Sequence, residues 1–523
     1  MQRRFSWRNE WKLLRKKDIH GKEIFSTFHA DSPVKIMEVA EWYSDSWDPM
    51  TYGRDYDFSK TFFEQFKELL DQVPVMSRSL TRPVNSDYCA NATQPKDCYL
   101  TFGLSYVENS AYSIWGANSK DIFDCHIYSE SELCYDCVNI VKCYKALYSI
   151  DCEGCSDVMF CKNCVGCNNC IGCVNLKNKS YYIFNQAYSK EDYIKKLKEL
   201  MVTSRANIEA LREKSTEYWK NFPNKFIHGR HNADVSGDYI SNSKDAKNCW
   251  RIIGGENVKY CQNFTMGPAK DSYDHSNFGD VTELIYDSLV VGDGAYNVAF
   301  SCQCFVSVAN LKYCFFCSNS SHLFGCISLR NKQYCIFNKQ YTKEEYEILV
   351  PKIIEHMKST EEYGEFFPME MSPLAYNESY AYEHFPLSKK EVEGKGLVWR
   401  EPQEKHFSAT MPSDNVPDDI SNVDESVTKE AISCAHKGEC EHECAGVFKI
   451  TSQELQFYKK LNIPLPRLCQ NCRHYARFAW RNPPKLWHRK CMKEGCKNEF
   501  ETSYAPERPE IVYCESCYNN EVA

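Results

Sequence analysis

No stretch of the 523-residue chain comes near eighteen consecutive apolar residues, and the first twenty, MQRRFSWRNEWKLLRKKDIH, lack the apolar segment of a secretory signal. Membrane spanning and classical export are therefore not expected, and a cytoplasmic location is. Equally missing are a P-loop, a G-x-S-x-G elbow and an H-E-x-x-H helix, and no catalytic constellation stands out. The chain is accordingly expected not to be an enzyme. It has no excess of positive charge either: the formal net charge is -8, which excludes a uniformly nucleic-acid-coating protein but not a local basic patch. With 43% hydrophobic and 26% charged residues, wholesale disorder is excluded and several domains can bury cores.

Cysteine is abundant instead, 30 residues on a chain without an export signal, which points to reduced thiols used as metal ligands or small buried side chains. The thirteen cysteines from Cys89 to Cys173 all lie multiples of three residues apart, and Cys125, Cys134, Cys143, Cys152, Cys161 and Cys170 step by nine. A period of nine suits neither an amphipathic helix nor a single half-buried strand. It suits a β-solenoid whose coil holds one or two nine-residue units and refills one cramped inward position. The ladder reads first as structural filler, with a metal or cluster, or disulfides, as alternatives. The segment CIGCVNLKNKSYYIFNQAYSKEDY at 170–193 returns as LFGCISLRNKQYCIFNKQYTKEEY at 323–346, so a second, diverged solenoid is expected. Ser189 with Asp192, and Thr342 with Glu345, predict N-capped helices that close the two solenoid ends.

The expected fold is mainly β with helical caps. In order it comprises a metal-free ribbon-like module with a helix (1–85), a first Cys-rich β-solenoid (86–188), a helical cap and connector (189–225), a second β-solenoid (226–341), a helical cap (342–362), an extended linker packing by its aromatics (363–427) and tandem zinc ribbons (428–523). The first module is predicted from a second repeat: Arg4, Phe5, Trp7, Arg8 and Asn9 match Arg477, Phe478, Trp480, Arg481 and Asn482. Its four cysteine positions are taken by Asp18, Lys22, Val39 and Trp42 or their neighbours, so it keeps the shape without the metal. It begins mid-module, which leaves open whether Met1 is the true start.

Cys491 and Cys496 followed by Cys514 and Cys517 form two short knuckles, the donor pattern of a closed, structural zinc site. A second zinc site is expected from Cys440, Cys444, Cys469 and Cys472, where Cys434, His436 or His442 can replace a ligand of the first knuckle. About two structural zinc ions per chain are thus expected, neither with an open position for chemistry. FKITSQELQFYKKLNIPLPRLCQNCR at 448–473 and TSYAPERPEIVYCESCY at 502–518 resemble the zinc-ribbon, treble-clef-like domains of uncharacterised bacterial proteins. GRDYDFSKTFFEQFKELL at 53–70 and the cysteine-rich repeat resemble the same group. The resemblance implies zinc and this architecture, and no particular activity.

Between the two cysteine sets, Arg473, Arg477, Arg481, Lys485 and Arg489 alternate with aromatics that include Trp480. Cations attract phosphates and flat rings stack on unpaired bases, so RNA or DNA binding here is the first functional expectation. The competing reading makes the aromatics module core and the charges its solvated face. Protein partners on the solenoid faces are the alternative function. His228 and His231, and the bare G-x-G of Gly292 and Gly294, read as surface or loop features.

Overall fold

From Asp121 to Asp151 every third backbone position is left-handed, with φ between 48 and 66°. Each such residue turns an extended chain through a corner. Parallel strand partners lie twelve residues apart, as in Glu132↔Tyr144, Val138↔Ile150 and Asn168↔Ser180. One coil is therefore four sides of three residues with a corner on each. The computed structural model describes residues 1–264, 267–401 and 408–522. Two thirteen-stranded sheets of this kind, Leu80–Thr81 to Gln186–Ala187 and Gly229–Arg230 to Lys339–Gln340, make the chain mainly β, and eleven α-helices accompany them among the described residues.

The expected β-solenoid is present, but its coil is twelve residues and not one or two units of nine. Three residues is the true unit, and nine is three sides of a four-sided coil. The nine-residue step has its own cause: the thiol of Cys143 donates to the carbonyl of Cys152 at 3.4 Å, Cys152 to that of Cys161 at 3.5 Å, and Cys161 to that of Cys170 at 3.4 Å. Cys152, Cys155, Val158, Cys161, Cys164, Cys167, Cys170 and Cys173 all point inward and are fully buried. Small side chains fill most of this narrow bore, and the same columns take Ile122 beside Cys134 and Ile140 beside Cys152 toward the start of the solenoid.

Left-handed backbone costs an ordinary L-residue about 1–2 kcal/mol, and Asn, Asp and Gly tolerate it best. They occupy many corners, and Asn side chains bond the corner one coil on: Asn139 donates to Asp151 at 2.6 Å and Asn163 to Asn175 at 2.7 Å. In the second solenoid the step varies, being 12 at Lys244↔Glu256, 14 at Gly255↔Ala269 and 13 at Tyr296↔Ala309. The extra residues break the phase of three, which is why the second copy is faint in sequence.

Each solenoid ends in a short antiparallel return, Tyr182↔Ala187 and Cys335↔Gln340, then a helix. Ser189 and Thr342 cap Lys190–Glu199 and Lys343–Ser359 as expected, accepting from the backbone N–H of Asp192 at 3.0 Å and Glu345 at 3.2 Å. Tyr193 and Tyr346 bury on the last coils. The segment expected as an extended linker folds back onto the N-terminal module, because Phe366 and Phe367 close on Trp7 with ring centroids 6.3 and 4.8 Å away. Residues 402–407 of that expectation lie outside the described residues.

Candidate metal centre

Two antiparallel strands, Trp487–Lys490 and Glu499–Thr502, form a hairpin whose turn carries Cys491 and Cys496. Opposite stand Cys514, just after strand Val512–Tyr513, and Cys517 in helix Glu515–Val522. Their four sulfurs lie within 4.8 Å of one another. The backbone N–H of Cys514 donates to Cys491 Sγ at 3.3 Å, and the Asn498 amide to Cys514 Sγ at 3.4 Å. Burial pushes the Cys514 thiol up, but bonds from Ser516, Asn498 and its own knuckle prevail and bring it down to about 6. This donor set fits a metal ion that takes four thiolates.

In the upstream cluster Cys434 stands in place of Cys440, one of the replacements left open above. Cys444, Cys469 and Cys472 are joined by Cys434, all four within 4.8 Å, whereas Cys440 gathers with His436, His442 and Cys472 in a further group of the same span. The reason lies in the strands: Cys434 follows Ile432–Ser433, which pairs with Val447–Phe448, and its sulfur accepts from the backbone N–H of Cys469 at 3.2 Å. Cys440 sits farther out on the intervening turn. Chemically, three Cys/His clusters can hold metal ions where two were expected.

Cys469 and Cys472 open the helix Gln470–Phe478, and the same helix points Arg473 and Arg477 at the first solenoid. There Asp124, wholly buried at a coil corner, receives Arg473 Nη1 at 2.6 Å and Arg477 Nη1 at 2.9 Å. Arg477 also lies 3.5 Å from Asp136, the corner one coil on. Arg481 lies over Trp115, 4.7 Å from the ring centroid. Arg473 and Arg477, expected on a nucleic-acid surface, are thus internal: a buried carboxylate requires buried cations, and these supply them. Trp480 remains 40% exposed, Lys485 is exposed over Trp487, and Arg489 bonds the carbonyl of Ala505 at 3.2 Å.

The N-terminal copy docks in the same way on the other solenoid, where Arg4 bonds Asp274 at 3.1 Å and also Asp287. It keeps the hairpin, Leu14–Lys17 with Glu23–Ser26. In place of a metal knuckle, the Asp18 carboxylate accepts the backbone N–H groups of His20 and Lys22, each at 2.9 Å. Nothing local in the sequence pointed to the acidic corners or to the setting of His228, which is half-buried, 2.9 Å from Asp238 and stacked on Tyr239. One signal was available: an arginine repeated in a copy that had lost its cysteines has a role independent of metal.

No protein family matches the chain in sequence, and neither does any curated protein. Twelve solved chains match. One, from Desulfovibrio desulfuricans G20 and provisionally described as an acetyltransferase, shares 10% identity at a TM-score of 0.11, over 43% of this chain and 66% of its own. That degree of likeness assigns no activity here. The expectation that the chain is not an enzyme is withdrawn, because it rested on the lack of a familiar catalytic motif, and that lack excludes nothing. No helix among the described residues is long and apolar enough to cross a membrane.

Proposed function

We propose that this chain is a zinc-dependent binding scaffold, in which C-terminal zinc ribbons clasp two solenoids and the solenoid faces receive a macromolecular partner. One observation carries the reading: the module around Cys491, Cys496, Cys514 and Cys517 is bonded to both solenoids. The Tyr518 hydroxyl meets Asn163 at 2.5 Å and Asn175 at 3.2 Å in the first. Thr502 donates to the carbonyl of Phe226 at 2.7 Å, Ser503 bonds Asp238, and strand Val512–Tyr513 pairs with Asn224–Lys225, all at the start of the second. Zinc is favoured because closed sites of Cys and His are its usual structural setting. The test is purification of the intact chain with and without nuclease, followed by metal analysis and identification of what stays bound. A zinc-loaded chain retaining a protein partner after nuclease supports the scaffold. Loss of all partners with the nuclease points to the second reading.

That second reading, RNA or DNA at the last hairpin, rests on Trp480, Lys485 and Lys490, which are exposed, with the half-buried Arg489 beside them, while Arg473 and Arg477 are internal. Its test is retention on RNA or DNA across a salt series. Lys485→Glu with Arg489→Glu should weaken retention and flatten the salt dependence.

A further inference from the structure

The two upstream ligand groups have one member in common. Cys472 belongs both to the set with Cys434, Cys444 and Cys469 and to the set with His436, Cys440 and His442. Its sulfur is 3.5 Å from Cys469 Sγ, 3.8 Å from Cys434 Sγ and 3.7 Å from Cys440 Sγ. A zinc ion bonds thiolate sulfur at about 2.3 Å, so the edge of its tetrahedron is about 3.8 Å. The separations on both sides of Cys472 are those of such edges. We propose that this is one binuclear centre, with the Cys472 thiolate bridging two ions, one completed by Cys434, Cys444 and Cys469 and the other by His436, Cys440 and His442. The inference rests on the zinc reading above and extends it to three ions per chain.

A second observation points to the outer ion independently. His436 Nδ1 and His442 Nδ1 are both closed off from water without a hydrogen-bond partner, and their rings lie side by side, centroids 5.6 Å apart and tilted by 55°. Two adjacent imidazoles, each with a buried unpaired nitrogen, are costly unless something fixes and satisfies the rings. His442 is further held by stacking on Tyr475, at 5.5 Å and 16°. An ion holding only the four-cysteine set leaves Cys440, His436 and His442 without a task. A second ion uses all three, and five thiolates shared by two divalent ions leave less net negative charge than four around one. A thiolate has lone pairs enough to serve both ions.

The experiment is zinc analysis of the purified full-length chain beside four variants, followed by cobalt loading. Three zinc per chain are expected. His442→Asn and Cys440→Ser should each lose one and keep two, Cys496→Ser should lose one from the last ribbon, and Cys472→Ser should lose two. The cobalt form should show a magnetic moment per ion lowered by coupling through the shared sulfur, and His442→Asn should remove that coupling while the chain stays folded. Two zinc per chain, unchanged in His442→Asn and Cys440→Ser, would overturn the binuclear centre and leave the zinc reading intact. No zinc in the parent chain would overturn both.

Discussion

Asp124 is a carboxylate with no access to water, fixed at a corner where the backbone is already left-handed, and two guanidinium groups from a helix about 350 residues later neutralise it. Removing one member of a buried ion cluster leaves the others uncompensated, which typically costs about 3–5 kcal/mol. Asp124→Ala is expected to lose stability on that scale in urea titration, whereas Lys485→Ala, at an exposed cation, should change it by less than about 0.5 kcal/mol. His228 gives a pH-dependent counterpart. Burial alone would lower its pKa, but Asp238, through charge and hydrogen bond, and Asp151 prevail and raise it above the usual 6.5. A histidine whose pKa is raised on folding stabilises fully below its unfolded value and loses that contribution as pH climbs through the folded one. Stability in urea titration should therefore fall more steeply as pH rises above 6.5 in the parent chain than in His228→Gln, by at most about 1.4 kcal/mol per pH unit. Equal slopes would remove His228 from the account. The arginines were legible as a basic, aromatic stretch. Their destination was not, because nothing local to Asp124 in sequence says that its corner will be covered.

In the solenoid, the element is the three-residue side, and its demands explain both what the cysteine spacing revealed and what it concealed. An inward position every third residue puts all ladder thiols in one phase, so the solenoid and its small-side-chain bore were readable from Cys89 to Cys173. The size of the coil was not, because any multiple of three preserves that phase, and only strand pairing at twelve residues fixes it. The metal clusters divide in the same way: knuckle spacing showed Cys491, Cys496, Cys514 and Cys517, but the choice between Cys434 and Cys440 depends on a two-residue strand pair that spacing cannot express. The narrow bore makes a firm demand. Cys161→Leu is expected to destabilise by about 1–3 kcal/mol through overpacking, and Cys161→Ala by less, since it only vacates space. Burial also closes the ladder thiols off from solvent, and it pushes the Cys98 thiol up to about 12. Alkylation of the native, metal-loaded chain should thus spare the ladder, and chelation should expose only cysteines from Cys434 onward. Rapid labelling of Cys152 or Cys161 in the native chain would contradict an inward ladder.

Across the whole molecule the two ends repeat one operation on different supports. The Arg-Phe-x-Trp-Arg-Asn motif places Arg4 on Asp274 and Asp287 of the second solenoid, and Arg477 on Asp124 and Asp136 of the first. What differs is the means of holding each module. The N-terminal copy closes its knuckle with Asp18 and backbone N–H groups and buries Phe5, Trp7, Phe28 and Ile36 beside Phe366 and Phe367. The last module has only a small cluster, Tyr513 and Tyr518 around its cysteines, too little apolar surface to stay folded once the sulfurs lose their ion. Metal removal should therefore act on one end alone. After chelation at neutral pH, limited proteolysis is expected to open sites between residues 430 and 522 while a fragment holding the N-terminal module and the solenoids resists. Small-angle scattering should show the chain expanding as the clasp releases both solenoids, and readded zinc should reverse both changes. Identical digestion patterns with and without chelator would mean that the C-terminal sulfurs hold no ion on which the architecture depends.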